Sequence, residues 1–435
     1  MLQLNQTLGY YTPSFFKIYI RSIDPIELRE LNQEQLATFV HEYTHFIQDF
    51  TTIIGLQNIY NTFERLRLYL TETYKSRKVN IPVIFKNEVL SINQVVYEKS
   101  WGTITSDNNL DRINVIKNII CVTSNLGDAI LSRFSILKSF RIVKATVITP
   151  SGQDCEIEIG TLAIMESMAY LAEGLMGLPM TAVPDYPYNT VKLMANTLCP
   201  KKKLNDEILY ALCDVALQCS SPGVAMFEML NGIASDFRPM PQDGYDVYRI
   251  FSKAFNEWNN AASDGFVNSA IECLSSLIKD PMGSRYQAWI NNMMSFAVNM
   301  RRDRPDYLIS EIKQNRSYVN IVNLVGTPLM VNAVEEYSKV PVAFPYNFPV
   351  EMDVEFFRAI EYIMGVFETG KRECPLIEWC KKSNIKIDNN CIINPPQRSN
   401  PKEYLELCPV SGIWRHWNLS RYKLKRQCIF KPICK

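Results

Sequence analysis

Two of the three histidines in this chain of 435 residues, His41 and His45, lie four positions apart. Side chains four residues apart in an α-helix lie one above the other, so two imidazoles at this spacing can bind one metal ion. Glu42 follows the first histidine and is placed to take a proton from water beside the metal. The pentapeptide HEYTH at 41–45 therefore predicts a helix that binds zinc on one face, and it constrains the chain more than any other stretch.

The helix around this pentapeptide is expected to span residues 32–55 and to have two distinct faces. The histidines share a polar strip, which lies opposite an apolar stripe wide enough to bury the helix against a core. The stripe consists of Leu36, Phe39, Val40, Tyr43, Phe46, Ile47, Phe50 and Ile54. The histidines are therefore predicted to face away from the core. Histidines buried in the core and a merely solvated polar face are the two other interpretations.

The composition is that of an ordinary soluble globular protein, with 47% hydrophobic and 21% charged residues. The formal net charge of +1 excludes a general attraction to nucleic acid or to an anionic membrane. Residues 1–20 contain no secretory signal pattern, and no apolar stretch is long enough to cross a bilayer. We therefore expect a cytoplasmic protein without a membrane contact, whose 12 cysteines are thiols or metal ligands rather than disulfides.

The order of the sequence patterns predicts an α+β fold that is predominantly helical. Three regions are expected, a catalytic region with a small sheet, a helical region and a cysteine-rich basic module, at 1–200, 201–370 and 371–435. Strands are predicted at 14–23, 79–97, 140–149 and 155–159, the last two as a hairpin. Further helices are predicted at 56–74, 110–123, 162–176, 354–367 and repeatedly within 204–312. Asn32 and Gln35 resemble a capping box for the metal-binding helix, and Gly55 is expected to end or bend it.

A catalytic zinc ion usually has three protein ligands, so the two histidines need a partner. Glu166 is the first choice, because it interrupts an almost wholly apolar helix, where a lone charge is costly unless a cation or strong donors compensate for it. Glu64 is the competitor, since its distance from His45 suits a ligand delivered by the following helix. A Glu166 paired with a buried arginine, and a ligand supplied by the distant His416, are the remaining alternatives.

HEYTH, followed at a distance by ESMAYLAE, resembles the gluzincin group of zinc metallopeptidases. The resemblance implies a zincin-like region in which a small sheet precedes the metal-binding helix, and hydrolysis of peptide bonds in a protein or peptide substrate. It also implies zinc bound by His41, His45 and a downstream glutamate, with Glu42 as the general base. Glu166 corresponds to that downstream ligand, whereas Glu64 is similar in its spacing to the aminopeptidases of the group.

The oxyanion that develops in such a reaction needs a donor besides the metal. Tyr170 is the predicted donor, and Tyr186 and Tyr188 are the other candidates by position. Gln48 and Asp49 can orient a ligand imidazole, although a role on the helix surface is the favoured interpretation of each.

The last 62 residues contain half of the cysteines, namely Cys374, Cys380, Cys391, Cys408, Cys428 and Cys434. Their spacing lacks a C-x-x-C pair, so a small packed cap with buried free thiols is favoured over a structural zinc site. Residues 415–435 contain seven Lys or Arg and no acidic residue, with aromatic residues between them. Such a mixture is compatible with contact to nucleic acid or to an acidic partner.

These patterns together predict a cytoplasmic zinc-dependent metallopeptidase in which zinc and Glu42 activate water. The alternative function is that of a regulatory or adaptor protein, in which zinc holds the fold without turnover and the basic tail contacts nucleic acid.

Overall fold

The computed structural model describes residues 9–21, 31–83, 99–104, 110, 113, 115–125, 139–180, 182–251, 256–277, 284–326, 328–332, 341–343, 351–370, 373–393 and 408–426. The α-helices in these residues are α1 (Gln33–Thr51), α2 (Ile53–Ser76), α3 (Thr161–Leu175), α4 (Thr190–Leu198), α5 (Asp206–Leu217), α6 (Pro222–Ala234), α7 (Gly244–Phe251), α8 (Asn256–Leu277), α9 (Ser284–Asp303), α10 (Tyr307–Asn315), α11 (Val319–Val325), α12 (Glu351–Thr369), α13 (Ile377–Lys382), α14 (Asn389–Ile393) and α15 (Pro409–His416). The strands are β1 (Gly9–Thr12), β2 (Lys17–Ile20), β3 (Lys78–Ile81), β4 (Val115–Asn125), β5 (Ser139–Ile148), β6 (Asp154–Ile159), β7 (Leu329–Asn332), β8 (Pro341–Ala343) and β9 (Lys423–Arg426). A kinked segment, Asp185–Asn189, in which the Tyr186 backbone is extended, precedes α4, and a 3-10 turn, Leu419–Arg421, follows α15.

Three small sheets accompany the helices. The first has the order β1-β2-β7-β8, in which β2 and β7 are parallel and the outer pairs are antiparallel. The second is the antiparallel sheet β4-β5-β6, and the third is the parallel pair β3-β9. The chain is therefore mostly helical with small sheets, which confirms the predicted α+β class. Among the residues given above, no helix is both long enough and apolar enough to span a bilayer.

Helix α1 begins at the predicted capping box. The Asn32 side chain accepts from the Gln35 backbone N–H, and the Gln35 side chain accepts from the Asn32 backbone N–H. The apolar stripe is buried as predicted except at Leu36, which is partly buried. Helix α3 covers the polar strip around the histidines as well: Gln48 is fully buried and His45 is 8% exposed. The prediction that the histidines face away from the core is therefore wrong, because they face a second buried layer that the projection of one helix cannot reveal.

The chain breaks between α1 and α2 at Thr52, whose backbone is extended with φ −125° and ψ 151°. The Thr52 hydroxyl accepts from the backbone N–H of Gly55 at 3.1 Å and so caps α2. A Cβ on Gly55 would lie 2.2 Å from the backbone oxygen of Gln48. The prediction that Gly55 ends the helix is corrected accordingly, since the break is at Thr52 and the glycine permits the close approach of α2 to α1.

The helix predicted at 110–123 is wrong, because residues Val115–Asn125 form strand β4 and pair with β5. This stretch is rich in β-branched residues, and its pairing with the following hairpin outweighs its helical periodicity. The predicted hairpin is confirmed as β5 and β6, with Gly152 at a φ of +79° in the turn.

The other predicted elements are present with adjusted limits. The strand predicted at 14–23 is β2, and residues 22–30 lie outside the described part of the chain. The strand predicted at 79–97 is β3, and residues 84–98 also lie outside it. The remaining helical predictions are confirmed as α2, α3, α5 to α10 and α12.

Two sheets join segments that are far apart in sequence, since β2 pairs with β7 and β3 pairs with β9. The three-region division itself remains a prediction. In the tail, Cys374, Cys380, Cys391 and Cys408 are buried and form no disulfide, as the favoured interpretation of a packed cap expects. Cys428, Cys434 and most of the basic segment lie outside the described residues, so contact with nucleic acid or an acidic partner stays a prediction.

A buried ion pair between α5 and α9 holds the C-terminal end of α1. The guanidinium of Arg301 donates to both carboxylate oxygens of Asp214, at 2.6 and 2.8 Å. Arg301 Nε also donates to the backbone oxygen of Thr51 at 3.1 Å, and the Gln218 amide donates to the same oxygen at 2.9 Å. These donors satisfy a terminal carbonyl that has no partner within its own helix, and they fix the end of the metal-binding helix.

Replacing Arg301 by Met is expected to lower the free energy of unfolding by about 3–5 kcal/mol, because the fully buried Asp214 loses its partner. Denaturant unfolding of the full chain measures this change. Arg302→Met is the matched control: Arg302 pairs with Asp264 near the surface, and loss of that pair should cost about 1 kcal/mol or less. Equal losses in the two variants would contradict the role of the buried pair.

Candidate metal centre

The three predicted metal ligands meet where α1 packs on α3. His41 and His45 project from α1 and Glu166 projects from α3, and their ligand atoms all lie within 4.8 Å of one another. Oε2 of Glu166 is 3.1 Å from Nε2 of His41 and 3.4 Å from Nε2 of His45. The two histidine nitrogens therefore point at one oxygen of the same carboxylate.

These separations fit a shared metal ion. Zinc binds histidine nitrogen and carboxylate oxygen at about 2.0–2.2 Å in tetrahedral geometry, which sets neighbouring ligand atoms roughly 3.3 Å apart. Two imidazoles and one carboxylate are also a donor set of catalytic zinc sites, which keep the fourth position open. His41, His45 and Glu166 could therefore hold a metal ion without a large rearrangement.

Each imidazole is oriented through its other nitrogen. Nδ1 of His41 is 2.7 Å from Oε1 of Glu173, and Nδ1 of His45 is 2.9 Å from Oε1 of Gln48. The Gln48 amide in turn donates to the backbone oxygen of Met165. An oxygen acceptor at Nδ1 favours the tautomer whose Nε2 keeps its lone pair for a metal. The favoured surface role for Gln48 is therefore wrong, because the side chain is buried and bonded to a predicted ligand.

Burial and charge shift the pKa of all three predicted ligands. Burial alone lowers the pKa of His41, but hydrogen bonds with Glu166 and Glu173 outweigh it and raise the pKa well above its usual value. Burial also lowers the pKa of His45, but the negative charge of Glu166 outweighs the effect of burial and raises the pKa above its usual value. Burial would raise the pKa of Glu166, but the two imidazoles hold it well below its usual range. The two imidazoles thus favour the ionised form of the carboxylate in the apolar helix.

Glu42 lies beside the metal residues and is 8% exposed. Burial raises its pKa above that of an ordinary glutamate, and the charges of His41 and His45 oppose the shift. Strand β1 runs past this side chain, since a Cβ on Gly9 would lie 3.7 Å from Cγ of Glu42. The Glu42 carboxylate therefore lies between the metal residues and an edge strand.

Of the three candidate tyrosines, Tyr188 lies against the metal residues. Its ring centroid is 5.8 Å from that of His41, and burial followed by the charge of Glu166 raises its pKa. The Tyr186 hydroxyl donates to a backbone oxygen in the segment before β4, at 2.5 Å. Tyr170 packs on the Tyr188 ring, with centroids 6.3 Å apart. The role of Tyr170 stays a prediction, and the geometry favours Tyr188 as the phenol closest to the ligands.

Asp49 does not orient a ligand but holds strand β1 and the turn after it. Its Oδ2 accepts from the Tyr11 hydroxyl and from the Ser14 backbone N–H, both at 2.8 Å. The favoured surface role is wrong here too, because the side chain is 1% exposed. Burial raises the pKa of Asp49 to about 6.

The two other candidate ligands lie elsewhere. Glu64 pairs with Arg67 one turn later on α2, with 2.7 Å between Oε2 and the guanidinium Nε. His416 is the last residue of α15, in the tail. Neither contributes to the group of ligand atoms between α1 and α3, so the geometry favours Glu166 as the third ligand.

The sequence interpretation assigned no part in the site to Glu173, and it gave the orienting role of Gln48 only as the less favoured alternative. Glu173 follows Glu166 by seven residues, about two helical turns, so the two carboxylates share one face of α3. Gln48 follows His45 by three residues and can bond it within one helix. Both spacings are visible in the sequence, but they gain meaning only once α3 is known to cover α1.

No family model, no curated protein and no solved structure matches this chain. The similarity to gluzincins therefore rests on the residues of the site.

Replacing Glu166 by Ala is expected to weaken metal binding by about 100-fold or more. Loss of a residue that only hydrogen-bonds a metal ligand already lowers metal affinity by about 10–100-fold, and Glu166 is itself a predicted ligand. Glu64→Ala should leave the affinity unchanged, because Glu64 is paired on another helix. Titration with zinc against a competing chelator, with metal content after dialysis, measures both variants. A larger loss in Glu64→Ala would reverse the assignment.

Replacing Asp49 by Asn is expected to change how stability depends on pH. Because the pKa of Asp49 is raised from 3.8 to about 6, its contribution to stability is complete below about pH 4 and is lost as the pH rises through about 6. A shift of about two pKa units corresponds to about 3 kcal/mol. In urea denaturation, the free energy of unfolding of the natural chain should fall by up to about 3 kcal/mol between about pH 4 and 8, relative to that of Asp49→Asn. Parallel pH profiles would contradict this assignment.

Proposed function

We propose that this protein is a zinc-dependent metallopeptidase of the gluzincin type, which hydrolyses peptide bonds of a protein or peptide substrate. The observation that carries the proposal is the convergence of two histidine Nε2 atoms and the Glu166 carboxylate, with Glu42 beside them. Zinc peptidases combine three protein ligands of the metal with an adjacent carboxylate that acts on the bound water. The contact of β1 and β2 with α1 supports a zincin-like arrangement of this region.

Each charged residue of the site has a role in the proposed reaction. When bound, zinc supplies a Lewis acid that polarises the scissile carbonyl and lowers the pKa of water to about 7. Glu42 takes the proton from the attacking water and passes it to the leaving amine. Glu173 and Gln48 keep the two imidazoles in place during the reaction.

Tyr188 is proposed to donate a hydrogen bond to the developing oxyanion, in the role first predicted for Tyr170. The contact of its ring with His41 supports this choice. Tyr170 packs on the Tyr188 ring and supports its orientation.

Replacing Glu42 by Gln is expected to retain zinc and to lower peptide hydrolysis by about 10²–10⁴-fold, because an amide cannot act as the base. Zinc-loaded full-length protein is incubated with a peptide digest of a proteome, and mass spectrometry measures cleavage while elemental analysis measures zinc. Glu34→Gln, an exposed glutamate in the first turn of α1, is the matched control and should cleave normally. Undiminished hydrolysis by Glu42→Gln would overturn the proposal, whereas a natural chain that retains zinc and cleaves nothing would favour the regulatory or adaptor function.

A further inference from the structure

Ser167 follows Glu166 on α3, and its side chain is hydrogen-bonded to the part of the chain that carries Tyr188. The Ser167 hydroxyl donates to the backbone oxygen of Pro187 at 3.0 Å and accepts from the backbone N–H of Val191 at 3.3 Å. The side chain is 1% exposed. One buried hydroxyl therefore contacts the chain immediately before Tyr188 and again three residues after it.

We propose that Ser167 is a positioning residue for Tyr188: its hydroxyl fastens the turn that holds Tyr188 to α3 and so places the phenol beside the metal residues. This inference rests on the proposed function, in which Tyr188 donates a hydrogen bond to the developing oxyanion.

The backbone around Tyr188 is closed by a hydrogen bond that shares an acceptor with Ser167. The backbone N–H of Thr190 donates to the Pro187 oxygen and closes the four residues 187–190 into a turn. A carbonyl oxygen has two lone pairs, so it can accept from both the Thr190 N–H and the Ser167 hydroxyl. The turn that fixes the backbone of Tyr188 is thereby attached to α3.

Helix α3 carries both a predicted metal ligand and this attachment. Successive residues of a helix are about 100° apart around its axis, so Glu166 and Ser167 point in neighbouring directions from one helical turn. A serine inside a helix often bonds the carbonyl four residues earlier, whereas the Ser167 hydroxyl bonds a separate segment. The same rigid element therefore sets the positions of the Glu166 carboxylate and of the turn that carries Tyr188.

Tyr188 needs support from its backbone because its hydroxyl is not held. Among the described residues, the Tyr188 hydroxyl has no hydrogen-bond partner, so it stays available for a substrate oxygen. Its ring is bounded by His41 and Tyr170, with centroids at 5.8 and 6.3 Å. An oxyanion donor has to lie about 2.7–3.1 Å from the developing charge. A misplacement of about 1 Å can cost about 100-fold in rate.

Other contacts hold the start of the segment and limit what loss of Ser167 would disturb. Oδ2 of Asp185 accepts from the Ile113 backbone N–H at 2.8 Å, and the Tyr186 hydroxyl donates to the Thr103 backbone oxygen at 2.5 Å. Both contacts precede the turn. Replacing Ser167 by Ala should therefore loosen residues 187–191 without releasing the whole segment from the protein.

A double-mutant cycle tests whether Ser167 acts through Tyr188. Zinc-loaded, full-length variants are given the peptide of the proteome digest that the natural chain cleaves fastest. Tyr188→Phe should lower kcat by about 10²–10³-fold, the usual effect of losing one oxyanion donor. Ser167→Ala should lower kcat by about 10–100-fold, because it loosens the donor without removing it. The double variant should match Tyr188→Phe within about twofold, because no phenol hydroxyl is left to place.

Two further measurements separate positioning from a merely structural role. KM and zinc affinity of Ser167→Ala should stay within about twofold of the natural chain, whereas a general disturbance of α3 would weaken zinc binding through the neighbouring Glu166. Ser310→Ala is the matched control and should keep full kcat. Ser310 is also 1% exposed, and its hydroxyl accepts from Arg304 at 3.0 Å and from Gln314 at 3.1 Å.

Hydrogen exchange tests the attachment without reference to activity. The full chain is labelled in D2O, and fragmentation mass spectrometry reads the exchange rate of the Val191 amide. Val191 lies in the first turn of α4, where backbone N–H groups lack partners within the helix. Ser167→Ala should speed this exchange by about tenfold or more, since the acceptor is lost, and Ser310→Ala should not change it. The amides of α5 report any general loosening, and an unchanged Val191 rate in Ser167→Ala would overturn the proposal.

The outcomes distinguish this inference from the function on which it rests. Losses in kcat that multiply in the double variant, or a kcat of Ser167→Ala equal to that of Ser310→Ala, would overturn the positioning role and leave the peptidase proposal intact. Full kcat in Tyr188→Phe would overturn both the donor role of Tyr188 and this inference. If the natural chain cleaves no peptide, the peptidase proposal fails, and the Val191 exchange rate alone then decides whether Ser167 holds the turn.

Discussion

The fold around the site depends on a largely enclosed carboxylate, Glu166, whose side chain is 19% exposed and lies beside two imidazoles. Moving an ionised carboxylate out of water costs several kcal/mol unless cationic partners and hydrogen bonds compensate for it. His41 and His45 supply that compensation, and they do so only where the polar strip of α1 meets α3. The polar strip of α1 consequently lies inside the protein around the histidines. Its other buried polar groups must therefore form hydrogen bonds within the protein, as Gln48 does with the backbone oxygen of Met165.

Helix α1 is fixed on each side by a different kind of interaction. Aromatic side chains pack on its apolar stripe, the buried charges of α3 lie on its polar strip, and Arg301 bonds its last carbonyl. Asp49 attaches the edge strand β1 along the same helix. A metal site needs its ligand atoms held to within a few tenths of an ångström, and a helix restrained along its whole length can provide that placement. Residues as distant in sequence as Asp214 therefore contribute to the site without touching it.

The sequence was sufficient for the features that depend on local pattern. The capping box at Asn32, the apolar stripe and the histidine pair follow from helical periodicity, and Glu166 stood out as a charge in an apolar helix. Features that depend on distant contacts were missed. Gln48 and Asp49 look like surface residues until α3 and β1 cover them, and residues Val115–Asn125 become a strand through pairing with β5. Tyr188 likewise contacts His41 because the kinked segment Asp185–Asn189 packs on α3.

The electrostatic field of the site explains why the same residues suit protons and a divalent cation. Glu166 and Glu173 each contact His41, and their hydrogen bonds favour its protonated form over the cost of burial. A metal ion binds an imidazole only when its Nε2 carries no proton, so the ion and the protons compete for the same two nitrogens. The nearby carboxylates favour positive charge at this position in both cases. The field that raises the pKa of the imidazoles is therefore also the field that would attract the ion.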